Sequence, residues 1–161
     1  MMGYTHAAVG AVAGASIGQM AGSPWLGGII GALAALAPDI DHPGSLMGSR
    51  FRVISVLLEF FAGHRTVTHT VWFCFVVGLL AGFIGRMAAV TFGLYVNPLL
   101  LFGIAFLGSV THLALDALTL SGVKPFAPLW DVAIRGHVRT GNFIAELSII
   151  VLCLCGFKAI F

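Results

Sequence analysis

Pro38-Asp39-Ile40-Asp41-His42-Pro43 ends a stretch, Met1 to Pro38, that contains no Asp, Glu, Lys or Arg. Two carboxylates and an imidazole set against so much apolar sequence are costly unless something compensates their charge. Outward along the chain the pattern recurs. His64-Arg65-Thr66-Val67-Thr68-His69 precedes a further apolar run, and His112-Leu113-Ala114-Leu115-Asp116 closes another. Apolar segments with His and Asp at their ends predict several helices that converge on one metal site.

Composition places those segments in a membrane. The 161 residues are 59% hydrophobic and 9% charged, with a mean hydropathy of +1.04. Ordinary soluble domains carry roughly 25% charged residues. The chain therefore reads as an all-α integral membrane protein, one domain over residues 1–161. A net charge of +2 without any Lys/Arg stripe excludes nucleic acid as a partner. The N-terminus lacks a basic region ahead of its apolar stretch, so no cleavable signal peptide is expected. Cys74, Cys153 and Cys155 all lie in apolar runs and read as packing residues.

A helix needs about 20 apolar residues to cross the hydrocarbon core. Spans are expected near residues 4–21, 25–38, 67–85, 90–118 and 142–160, a polytopic bundle of about five, with the second short enough to be only partly inserted. Asn97-Pro98 starts or kinks the fourth. Gly10, Gly14 and Gly18 recur at four-residue spacing, which favours tight packing within the chain over dimerisation. Ser49 to Ala62 mixes Arg50, Arg52 and Glu59 with bulky apolar residues, as a short interfacial helix does. Five spans put the 39–66 and 119–141 loops on one face, where Arg50, Arg52, Arg65, Lys124, Arg135 and Arg139 gather; only Arg86 and Lys158 lie opposite. Positive-inside bias makes that face, and the site on it, cytoplasmic.

The chemistry-bearing residues each have a bland reading and a sharp one. His112 and Asp116, four apart on a helix, share a face and can hold one ion, or the Asp can simply pair with a cation. Thr119, just beyond, can orient a ligand. Asp39 and Asp41 sit in a loop stiffened by two prolines and can aim at a common target, or cap a helix. His64 and His69 flank Arg65, which can grip a phosphate or meet lipid headgroups. His6 is one turn into the first span. Glu146 is the one acid in the last apolar run and is a ligand, a base, or a partner of Arg135 or Arg139. Nitrogen and oxygen donors without Cys suit zinc first and manganese second.

These motifs resemble the YdjM family, described as LexA-regulated, inner-membrane-associated metal-dependent hydrolases. The similarity runs through Thr5-His6, Ala37-Pro38-Asp39-Ile40-Asp41-His42-Pro43-Gly44-Ser45, Gly63-His64-Arg65-Thr66-Val67-Thr68-His69-Thr70, Thr111-His112 with Asp116, Thr119 and Gly122, and Arg139-Thr140-Gly141 with Glu146. The family is distantly similar to zinc-dependent phospholipase C, whose members are soluble or secreted, whereas this chain is mostly apolar. The resemblance implies His6, Asp41, His64, His69, His112, Asp116 and Glu146 as ligands for one to three ions. A phosphoester, with a phospholipid as one form of it, is expected as the substrate because the site would open at headgroup depth. Asp39 is then expected as general base, with Arg65 stabilising negative charge on the substrate. A non-catalytic metal-binding membrane protein is the alternative, and a metal or proton transporter a third reading.

Overall fold

A computed structural model describes residues 1–62 and 67–161. In chain order the helices are α1 (Gly3–Gly18), α2 (Pro24–Leu36), α3 (Leu46–Arg50), α4 (Arg52–Ala62), α5 (Val71–Phe92), α6 (Pro98–Ala117) and α7 (Phe143–Ile160). Short 3₁₀ segments, Gln19–Ala21 and Ala37–Asp41, extend α1 and α2. Among the described residues β-structure is confined to two isolated bridges in the loop after α6.

Helix boundaries follow local chemistry. Gly22 adopts a left-handed conformation (φ 66°) that turns the chain into α2, where Pro24 fits the first turn because it has no N–H to satisfy. Asn97 caps α6 by accepting from the Leu99 and Leu100 amides at 3.0 and 3.2 Å, with Pro98 following. Asn97-Pro98 thus starts this helix. Thr70 and Asn142 cap α5 and α7 in the same way. The Val71 amide, an orphan donor of the first turn of α5, reaches the Pro125 carbonyl at 2.8 Å and so docks the long loop across that helix end.

Among the described residues three helices, α5, α6 and α7, are long and apolar enough to cross a membrane. Of the five expected spans these are the last three. α1 and α2 have 16 and 13 residues, about 24 and 20 Å of helix against a hydrocarbon core of about 30 Å. They form a hairpin that packs on α6. The expected interfacial helix is the α3–α4 pair, broken at Phe51. α4 exposes Val53 and Phe60 strongly.

Backbone contact holds the hairpin together. A Cβ on Gly14 would lie 2.8 Å from the Gly31 Cα, and one on Gly18 would lie 2.9 Å from the Gly27 Cα. Gly108 of α6 closes on the other side of Gly31, where a Cβ would meet its Cα at 3.1 Å. The glycine spacing therefore serves packing within the chain.

The burial pattern is the reverse of a soluble protein's. Trp25, Phe83 and Ile144 are exposed, whereas His6, His69, His112, Asp41 and Asp116 are among the most completely buried side chains. Apolar groups face outward and polar groups occupy the interior, at the end of the bundle where α1, α5 and α7 begin and α2 and α6 finish.

Candidate metal centre

Five chain segments deliver the cluster. α1 supplies His6 from its first turn. The 3₁₀ segment after α2 supplies Asp39 and Asp41, and the residue pair before the Thr70 cap ends in His69. Adjacent turns of α6 supply His112 and Asp116 on one face, and α7 supplies Glu146. His6, Asp41, His69, His112 and Asp116 are all at most 1% exposed.

Two carboxylates gather around two facing histidine nitrogens. His112 Nε2 lies 3.3 Å from His69 Nε2, 3.6 Å from Asp39 Oδ1 and 3.7 Å from Asp116 Oδ2. His69 Nε2 lies 3.7 Å from each of those same carboxylate oxygens. A tetrahedron built on metal–ligand bonds of about 2.0–2.2 Å has edges of about 3.3–3.6 Å. Asp39, His69 and His112 therefore make a group of three donors that fits a divalent ion in spacing and in chemistry. Asp116 turns its other oxygen toward His6, with Oδ1 3.5 Å from Nε2, so His6, His112 and Asp116 make a second group of three donors.

The surroundings aim these donors. His112 Nδ1 donates to the Ala35 carbonyl at 2.8 Å, which leaves Nε2 as the lone-pair nitrogen facing the cluster. Behind His69, Thr68 Oγ1 donates to Asp41 Oδ2 at 2.6 Å and lies 3.0 Å from His69 Nδ1. Asp41 Oδ2 itself is 3.7 Å from that nitrogen. Asp41 thus backs His69 through Thr68, on the side away from His112. The His6 ring stacks on His112 at 3.8 Å, and among the described residues its buried Nδ1 has no hydrogen-bond partner.

The two aspartates face different sides of His69. Asp39, expected as a base, presents its carboxylate to both histidines, and Asp41, expected as a ligand, supports one of them. Burial works to raise the Asp39 pKa, but His69, His112 and His6 together outweigh it and hold the carboxyl at about 2. A carboxylate that acidic is a good anionic ligand and a poor proton acceptor near neutral pH. Asp39 is also the open edge of the cluster: it lines a cleft of about 480 Å³ with Tyr4, His42, Ser45 and Thr140.

Glu146 is buried but occupied elsewhere. Its Oε1 accepts from the Met2 amide at 3.1 Å and the Gly141 amide at 3.4 Å, and Oε2 accepts from the Thr5 hydroxyl. It pins the start of α7 to the start of α1. The Met1 nitrogen similarly reaches Asp116 Oδ1 at 2.9 Å. Thr119 donates to the Asp116 carbonyl at 2.8 Å and accepts from the Gly122 amide, so it closes the end of α6. His64 and Arg65 lie outside the described residues.

A family profile described as YdjM inner membrane protein matches residues 1–160. The chain belongs to the YdjM family. Uncharacterized protein YvsG of Bacillus subtilis (strain 168) is 30% identical to it over 156 residues, 96% of this chain and 91% of that one. Inner membrane protein YdjM of Escherichia coli (strain K12) is 38% identical over 96 residues, 60% of this chain and 46% of that protein. No solved structure matches. In this YdjM-family chain, sequence reading finds the ionisable members of the cluster but misses Thr5, Thr68 and the Ala35 carbonyl. Thr68 carried a signal, since it directly precedes His69. A backbone carbonyl carries none.

Proposed function

We propose that this YdjM-family chain is a membrane-embedded metal-dependent hydrolase acting on a phosphoester at headgroup depth. The observation that carries the reading is that the His69 and His112 Nε2 atoms lie 3.3 Å apart and each lies 3.6–3.7 Å from an Asp39 and an Asp116 carboxylate oxygen. Asp39, His69 and His112 would hold an ion with Asp116 as the fourth donor, zinc favoured and manganese the alternative. Asp116 also faces His6, and His6, His112 and Asp116 form an alternative group of three donors for that ion. A bound divalent ion would supply Lewis-acid polarisation of a phosphoryl oxygen and a water more acidic than bulk.

The chain's own residues do the rest. Thr68 and Asp41 fix the His69 ring, Ala35 fixes His112, and Asp39 keeps one side of the cluster open to the cleft. A closed structural site needs no such opening, which favours catalysis over a purely structural ion. Tyr4, His42, Ser45 and Thr140 offer polar groups around a substrate in that cleft. Arg65 would stabilise negative charge on the substrate. The site end of the bundle also carries Arg50, Arg52, Lys124, Arg135 and Arg139, which supports a multi-pass arrangement in the inner membrane with the site cytoplasmic.

Elemental analysis of detergent-purified protein tests this beside the His112→Ala/Asp116→Ala variant, with turnover of bis(p-nitrophenyl) phosphate and of phosphatidylglycerol vesicles as the second readout. The expected result is at least one zinc or manganese per chain and measurable turnover, both lost in the variant. Folded protein that takes up neither metal on reconstitution, or turnover undiminished in the variant, would overturn the proposal. The competing reading, a non-catalytic metal-binding protein, draws on the full burial of three of the four donors. It predicts tight metal without turnover. Transport fits less well, because the donors gather at one end of the bundle.

A further inference from the structure

A trough runs down the lipid-facing side of the bundle. α2 and α5 each pack on α6, and between them lies an apolar groove of about 560 Å³ floored by Leu101 and Ala105. Its depth comes from small residues, Ala34 and Ala37 on one wall and Ala81 and Gly85 on the other. Its rims are Leu33, Leu80 and Ile84, each more than half exposed. We propose that this trough seats one acyl chain of a phospholipid whose phosphoester lies at the metal centre. The proposal rests on the hydrolase reading above and names the substrate class for it.

Three observations select that occupant. The α5 wall extends from Phe73 to Gly85, about 18 Å at 1.5 Å per residue. One leaflet of hydrocarbon is about 15 Å deep, half of the roughly 30 Å core. The trough also ends where the chemistry begins: Ala37 and Ile40 line its upper end, and Ile40 sits between Asp39, which faces the two histidines, and Asp41, which backs one of them. Finally, the residues that line the trough are all apolar, which suits a hydrocarbon chain. In a bilayer there is no hydrophobic gain from leaving lipid for a groove, so selection comes from van der Waals fit, which a concave apolar wall improves.

The test uses the full chain in vesicles of phosphatidylethanolamine and phosphatidylglycerol, doped with a phosphatidylglycerol carrying a diazirine midway along one acyl chain. After photolysis, labels are mapped by peptide mass spectrometry. Labelling is expected to concentrate on Leu80, Ile84 and Leu101. Ala81→Trp, which fills the trough, is expected to cut it about tenfold, equivalent to roughly 1.4 kcal/mol of lost binding. Ala81→Leu serves as the milder version should the tryptophan impair folding, and Leu79→Trp, lipid-facing outside the trough, should leave the labelling unchanged. Labels spread evenly over α5 and α7, or unaffected by either Ala81 substitution, would overturn the proposal. Metal content of the same samples separates the two ideas. Bound metal without trough labelling removes the lipid seat alone. Trough labelling in protein that holds no metal removes the hydrolase reading and with it the link between chain and centre.

Discussion

His112 Nδ1 and the carbonyl oxygen of Ala35 are 2.8 Å apart, and this contact both orients a ligand and finishes a helix. Pro38 has no N–H, so the end of α2 cannot complete its α-helical bonding and tightens into the 3₁₀ segment Ala37–Asp41. The last carbonyls of α2 need other donors. Ala34 receives Ser109 Oγ at 3.2 Å, and Ala35 receives His112. The proline that ends α2 thus creates the acceptor that sets the His112 tautomer, and the next residues carry Asp39 to the same histidine.

Thr68 is expected to govern metal affinity without touching the ion. It links Asp41 to the far side of His69. Thr68→Val keeps the shape and removes the hydroxyl, so affinity should fall about 10- to 100-fold, the usual cost of losing an outer hydrogen-bond partner. Thr68→Ser should restore most of it. A chelator competition titration reads both, and unchanged affinity in the valine variant would show that Asp41 orients His69 unaided.

The glycines divide into those that touch backbone and those that do not. Gly31→Val would drive a side chain into the backbones of Gly10 and Gly14, with overpacking of this kind costing about 1–3 kcal/mol and often more against backbone. Gly103, inside α6, has open space where its Cβ would stand. Gly103→Ala should therefore stabilise by about 0.5–1 kcal/mol through helix propensity alone. Thermal unfolding in detergent compares the two, and Gly31→Val should also lower metal content because the hairpin carries His6 and Asp39 to α6.

Much of this was readable in the residues. The apolar runs gave the helices, Asn97-Pro98 gave the start of α6, and four-residue glycine spacing gave the α1–α2 contact. Among the described residues, His6, Asp39, Asp41, His69, His112 and Asp116 lie together at one end of the bundle. The partition of Asp39 and Asp41 was not readable. In a 3₁₀ turn residues two apart point in different directions, and which of them meets His69 Nε2 rather than Nδ1 depends on where α5 begins. The span count likewise depends on helix length, and Pro24 and Pro38 bound α2 more tightly than hydropathy does.

Asp39 gives the centre a defined acid limit. Its pKa falls from an ordinary 3.8 to about 2 in the folded chain. A depressed carboxylate contributes stability that is complete above its unfolded value and is lost as pH falls through its folded one. At about 1.4 kcal/mol per pH unit the contribution is about 2 kcal/mol. In metal-free detergent solution the stability difference between wild type and Asp39→Asn should shrink by that amount between about pH 4 and 2. A difference that persists below pH 2 would mean the asparagine costs packing rather than charge.

Glu146 separates a ligand from a clamp. As a ligand it would need its negative charge. As a clamp between α7 and α1 it needs only acceptors for the Met2 and Gly141 amides and a partner for the Thr5 hydroxyl. Glu146→Gln supplies an amide oxygen for the former and an N–H that Thr5 can accept, so metal stoichiometry should stay at the wild-type value and the melting temperature should shift little. Glu146→Ala strands those buried groups and should destabilise by about 1–3 kcal/mol per unmet donor, loosening the first turn of α1 and with it His6. Elemental analysis of the glutamine variant decides: if it loses an ion while still folded, Glu146 binds metal through a rearrangement of its present hydrogen bonds, and the charge itself is what the centre requires.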